Sequence, residues 1–238
     1  MRYVKKVLFV VLLAVVLIGS PIIGRLGANL FDFSKLDPDG SFLWISVHHI
    51  IQALVIIVLI FISNKLFSLD FNLGLGNKEI GIKYLKRFML FFMIYATGAF
   101  LSMILLGGFQ PFQYPLTGLN ITGYLGFQLL LSGPSEELIF RAFAITMFAF
   151  LITSKRVNKH ISYANLFAAI IFGLAHVYIK FSPFEIEYTM FQVVYAAVLG
   201  YFYGDCYEKS KSVIYPMIMH SFTNVVMVGV TIILSFIL

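Results

Sequence analysis

Two adjacent carboxylates and an arginine interrupt a long apolar run at Glu136-Glu137-Leu138-Ile139-Phe140-Arg141, just after Ser132-Gly133-Pro134-Ser135. A charge at bilayer depth costs at least about 2.5–3.5 kcal/mol and persists only in a protein interior or beside water. Helical spacing sorts the three groups. Glu137 and Arg141 are i and i+4, share a face and can pair, so they read as structural support. Glu136 is rotated about 100° from its neighbour, and the pairing leaves it out. An unpaired intramembrane acid is a candidate functional group. Gly133-Pro134 reads as a break, with Ser135 the N-cap of a new helix and both carboxylates in its first turn.

Two further apolar stretches carry imidazoles. Phe172 and His176 are i and i+4, a bulky wall beside a ring nitrogen, and His220 and Asn224 repeat that spacing. A carboxyl held among apolar walls suits general-base work on water. A histidine beside it can hold the water, while a second histidine and an amide donor can polarise a carbonyl and steady the oxyanion. Together these groups describe hydrolysis of an amide bond by activated water. No Ser or Cys is spaced as a nucleophile with its base, and the H-E-x-x-H of soluble zinc proteases is absent. Glu136, His176 and His220 are a legitimate zinc set, yet the same residues work without metal, so the cofactor question stays open at this level.

The composition says what must position these groups. The 238 residues are 60% hydrophobic and only 12% charged, with mean hydropathy +0.93. That excludes a soluble domain and predicts an all-α, polytopic transmembrane helix bundle: a single integral membrane domain over 1–238, with about seven spans (six to eight) and a broken helix at the Glu-Glu motif. The net charge of +6 is spread over short loops, where it sets topology rather than binding nucleic acid. Cys206 is the single cysteine, so no intrachain disulfide and no cysteine-rich metal site can form.

The spans are expected at about 7–24, 42–63, 88–106, 121–152, 161–179, 188–204 and 213–237. The first reads as an uncleaved span rather than a signal peptide. His48-His49 fall near the start of the second and, as neighbours, point to different faces, which reads as structural or interfacial. Between 64 and 87, basic residues interleave with apolar ones, which suggests an amphipathic stretch on the cytoplasmic leaflet. The run 121–152 would make a helix about 48 Å long, too long for one straight crossing of a roughly 30 Å core. Gly133-Pro134 is therefore expected to divide an entering segment, 121–132, from a helix at 135–152.

With the N-terminus cytoplasmic, every Lys and Arg falls on the inner side except Arg25, Lys35, Lys180 and the intramembrane Arg141. The positive-inside rule then puts the C-terminus outside. One tension is depth. Glu136 and His176 lie about 22–28 Å from the inner ends of their expected spans, but His220 only about 11–14 Å.

These three motifs resemble the CPBP family of CAAX-protease and bacteriocin-processing membrane proteins, also called Abi proteins. E-E-x-x-x-R is met by Glu136 to Arg141, F-x-x-x-H by Phe172 to His176 and H-x-x-x-N by His220 to Asn224. Leu199-Gly200-Tyr201-Phe202-Tyr203-Gly204 also looks like the family, whereas Ala142 stands where a glycine often follows the arginine. The resemblance covers a catalytic core at about 130–225; the first 120 residues carry no specific signature. It implies an intramembrane endopeptidase acting on a membrane-associated peptide or protein. Glu136 and His176 would activate water, and His220 and Asn224 would form the oxyanion hole. Such enzymes are often called metalloproteases, and a metal-free glutamate mechanism is also argued for them. Two alternatives remain at this stage: a non-catalytic bacteriocin-immunity or partner-binding scaffold of the same family, and a proton-coupled transporter. The absence of internal repeats and paired broken helices speaks against transport. Substrate and oligomeric state are not legible.

Overall fold

The computed structural model describes residues 2–159, 161–181 and 184–238; His160, with which the expected inner loop 154–160 ends, lies outside them. The described chain is a membrane-type bundle of α-helices. α1 (Arg2–Ala28), α2 (Leu43–Phe67) and α3 (Lys78–Leu105) are followed by α4 (Gly118–Phe127), α5 (Gly133–Glu137) and α6 (Ala144–Leu151). Then come α7 (Tyr163–Leu174), a two-stranded antiparallel hairpin of β1 (Tyr178–Phe181) and β2 (Phe184–Glu187), α8 (Met190–Ser210) and α9 (Ile214–Ile237). By length and composition, α1, α2, α3 and α9 are apolar enough to cross a membrane. Their outward residues are large and apolar, such as Leu12, Phe61, Phe91 and Phe236, the inverse of a water-soluble bundle.

The helix carrying the acids departs from the sequence reading. Gly133-Pro134 does not interrupt it. Ser132 and Gly133 both keep right-handed helical angles, and helical backbone is continuous from 118 to 151. The hydrogen-bond register changes instead. π-helical turns at Gln128–Ser132 and Leu138–Phe143 bracket the five residues of α5. Proline inside a helix lacks an N–H and collides with the carbonyl four residues back. Widening the turn ahead of Pro134 relieves that collision, and such bulges gather at functional sites. Ser135 is accordingly not an N-cap: its hydroxyl donates to the Ser132 carbonyl at 3.1 Å.

Other boundaries also differ. The basic stretch 64–87 is not a separate surface helix. Residues 78–87 are the first turns of α3, capped by Asn77, whose side chain accepts from Ile80 N–H at 3.0 Å. The expected fifth span is a 12-residue helix followed by the hairpin. Phe184-Glu185-Ile186-Glu187 alternates apolar and charged residues, the period of a strand rather than a helix. α8 continues six residues past the expected end at 204, because its last turns have polar partners: Tyr84 Oη donates to Asp205 at 2.5 Å, and Glu208 pairs with Arg156 at 3.6 Å.

The segment 68–77 closes one end of the bundle. Asn72 carbonyl accepts Val213 N–H at 2.9 Å, and Asn77 N–H donates to Ser210 carbonyl at 2.6 Å. Gly76, at φ +50°, lies so close to the Ser210 and Lys211 carbonyls that no Cβ fits. At the other end, Asp37 organises the entry to α2. One carboxylate oxygen accepts from Ser41 N–H at 2.9 Å, the other from Phe42 and Leu43 N–H at 2.8 Å each. Ser41 Oγ also donates to Asn120 at 3.0 Å, tying the start of α4 to this cap. Burial alone would raise the Asp37 carboxyl, but the Leu43, Phe42 and Ser41 donors outweigh it and hold it below the usual carboxylate range. A carboxyl lowered on folding stabilises above its unfolded pKa and loses that contribution as pH falls through the folded one. Asp37→Ala is expected to cost about 1–3 kcal/mol at neutral pH. The deficit should shrink once pH drops below about 3.9, the unfolded aspartate value. Thermal unfolding of the detergent-solubilised protein at the two pH values checks this.

Candidate active site

α5 packs against α9 through Gly133. A Cβ there would meet Ser221 N at 2.8 Å and His220 Cβ at 3.2 Å, so glycine is what lets the two helices approach. That approach resolves the depth tension. The tip between α8 and α9 is covered by 68–77, and His220 reaches both acids. Its Nδ1 lies 2.8 Å from Glu137 Oε1. A carboxylate only accepts, so this ring nitrogen donates. Nε2 then faces Glu136 Oε2 at 3.8 Å, beyond direct hydrogen bonding. The ring stacks on Tyr203, with centroids 5.1 Å apart and planes at 22°. Tyr203 Oη is 2.9 Å from Thr223 Oγ1, which donates to the His220 carbonyl at 2.7 Å.

Glu137 and Arg141 form the expected pair, Oε2 to Nε at 3.0 Å, both with 0% side-chain exposure. Their neighbours are aromatic. The guanidinium carbon lies 4.6 Å from the Phe172 ring centroid and 5.4 Å from that of Tyr203. A buried charge pair rarely stabilises relative to an apolar replacement. Its effect here is geometric: Arg141 fixes Glu137, Glu137 fixes the donor nitrogen of His220, and the other nitrogen is thereby aimed at Glu136.

Glu136 is the less buried acid, its side chain 21% exposed. Its second oxygen, Oε1, lies 4.0 Å from Nε2 of His49 on α2, a residue the sequence suggested to be structural or interfacial. His49 is held by a chain of polar groups. Gln52 Nε2 lies 2.9 Å from His49 Nδ1 and 3.1 Å from Ser135 Oγ, while Gln52 Oε1 lies 3.2 Å from His48 Nε2. His49 Nδ1 also lies 2.7 Å from Ser135 Oγ, whose own proton goes to the Ser132 carbonyl, so Nδ1 donates to Ser135 and Nε2 is the nitrogen that faces Glu136. The signal that could have found it is the placement of His48, His49 and Gln52 within one turn of an apolar span, where polar groups need partners.

His176 departs from the expected arrangement. α7 ends at Leu174, and His176 lies in the turn beyond, Nδ1 donating to the Phe172 carbonyl at 2.9 Å. Its ring meets Phe172 edge-on at 5.1 Å, and Phe172 in turn meets His220 at 5.7 Å. Phe172 thus touches both imidazoles, and His176 makes no ion pair with either glutamate. Asn224 Nδ2 donates to Ser132 Oγ at 3.0 Å, one turn ahead of Glu136. Among the described residues, no three His, Cys, Asp or Glu side chains are gathered to hold a metal ion. The set Glu136, His176 and His220 does not fit one in this arrangement, because His176 stands apart.

The structure thus places an acid facing two imidazoles inside a membrane-type helical bundle. The relationship follows from sequence comparison: residues 118–226 match the family model Rce1-like, described as Type II CAAX prenyl endopeptidase Rce1-like. Over those residues the chain is similar to that family of membrane proteases. No curated protein and no solved structure matches the chain significantly. The matched stretch holds all three motifs, whereas His49 lies outside it.

Proposed function

We propose that the chain is an intramembrane endopeptidase in which Glu136 is the general base. The observation that carries this is the Glu136 carboxyl lying between His220 at 3.8 Å and His49 at 4.0 Å. Glu136 accepts no hydrogen bond from the described residues, so its lone pairs are available to a water. Glu136 takes one proton from that water, and the water oxygen forms a bond to the carbonyl carbon of a peptide in the site. The developing oxyanion is stabilised by the Asn224 N–H that Ser132 leaves free and by His220, whose Nε2 donates there as imidazolium because its Nδ1–H is held by Glu137. Protonated Glu136 gives its proton to the amide nitrogen, the C–N bond breaks, and the carboxylate is regenerated. His49 flanks the carboxylate, Glu137 and Arg141 orient His220, and Phe172 packs against the His220 ring. His176, half-buried beyond the end of α7, packs its ring edge-on against Phe172.

The membrane-embedded chain presents its N-terminus to the cytoplasm and its C-terminus outside, in accordance with the charge distribution. The reading is tested by comparing, by mass spectrometry, the membrane-associated peptides and small proteins of cells making the wild-type chain or a Glu136→Gln chain. An uncut precursor is expected to accumulate with the variant, and its cut product only with wild type. Identical pools would support the non-catalytic scaffold instead.

A further inference from the structure

Away from the acids, α3, α8 and α9 enclose an apolar groove of about 880 Å³. Its walls are aromatic and aliphatic, including Phe88, Phe92, Tyr195 and Leu199. Its rim is basic: Lys83 and Arg87, one helical turn apart on α3, and Lys209 in the last turn of α8. None of these three cations has an ion-pair partner among the described residues. Asp205, the acid in the lining, is engaged by Tyr84 Oη at 2.5 Å.

The cations belong to the segments placed on the cytoplasmic side, level with the start of α3 and the end of α8. An apolar groove with unpaired basic side chains at its rim, at the membrane surface, matches one chemistry: an acyl chain below, an anionic headgroup above. Basic pockets between helices on the cytoplasmic face hold acidic lipids in this way.

We propose that this groove is a binding site for one anionic phospholipid of the inner leaflet, its phosphate held by Lys83, Arg87 and Lys209 and one acyl chain lying along Phe88 and Phe92. Met219 lines the groove and adjoins His220 on α9. The lipid therefore fills the space between α3 and the helix that carries His220, and holds that helix in place.

The test uses the full chain in detergent micelles, titrated with phosphatidylglycerol or phosphatidylcholine, with bound lipid counted by native mass spectrometry. The wild type is expected to retain one phosphatidylglycerol at least about tenfold more tightly than phosphatidylcholine. Each rim charge contributes a several-fold factor, so Lys83→Gln/Arg87→Gln/Lys209→Gln should lose between about tenfold and a hundredfold in affinity for it. A control removing three charges elsewhere, Lys35→Gln/Lys65→Gln/Lys86→Gln, should bind as wild type. Val198→Trp, which fills the groove from α8 without altering charge, should also lose the lipid. Equal retention of the two lipids by wild type, undiminished binding by the rim variant, or equal loss in the control would overturn the proposal. None of these readouts depends on peptide cleavage, so they stand apart from the protease reading.

Discussion

A Glu136→Gln protein is expected to insert, fold and melt as the wild type does while losing between about 10² and 10⁴ of its cleavage rate, the usual worth of a positioned acid–base group. The amide keeps the size and shape of the carboxylate and cannot take a proton from water. The surroundings make this substitution mild for the fold. Glu136 accepts no hydrogen bond from the described residues, and the two imidazoles facing it stand at 3.8 and 4.0 Å. The matching change one residue on should behave differently, because Glu137 is fully buried between Arg141 and His220. Single-turnover cleavage and thermal unfolding, measured on the same preparations, separate the two effects.

The second large effect is one of stability. Arg141→Met removes the cation and leaves Glu137 buried, with His220 Nδ1 as its remaining partner. Breaking one side of a buried pair costs about 3–5 kcal/mol, a large share of the roughly 5–15 kcal/mol that holds a typical domain together. Glu137→Gln/Arg141→Met removes both charges, and is expected to be less destabilising than the sum of the single changes. It should still be slow in cleavage, since an amide at position 137 can donate as well as accept and no longer fixes which nitrogen of His220 carries the proton. Additive losses in a double-mutant cycle of melting temperatures would mean that the two residues do not act as a pair.

What was legible in the sequence was local. Glu137 and Arg141 pair because four residues of helix bring them together, and Asn224 shares a face with His220 for the same reason. The hydrophobic composition determined the bundle, because backbone polar groups in lipid must be satisfied within helices. What was not legible depended on neighbours far along the chain. The His220–Glu137 contact spans 83 residues and is permitted by the missing side chain at Gly133. His49 joins Glu136 from α2, a distant part of the sequence, and is held there by Gln52 and Ser135. Gly133-Pro134 looked like a break because proline usually ends a helix; a π-helical turn absorbed it instead. His176 was expected on a helix beside Glu136, but α7 stops two residues short of it, and strand pairing takes over at Tyr178.

The most direct measurement uses the precursor identified from the Glu136→Gln cells. The purified precursor and wild-type protein are incubated together in H₂¹⁸O, and the mass of the new carboxyl terminus is read. Attack by water activated at Glu136 predicts one ¹⁸O atom in the new C-terminus with wild type and no product with Glu136→Gln. A precursor that stays whole with the wild-type protein, or is cut equally fast by Glu136→Gln, would contradict it.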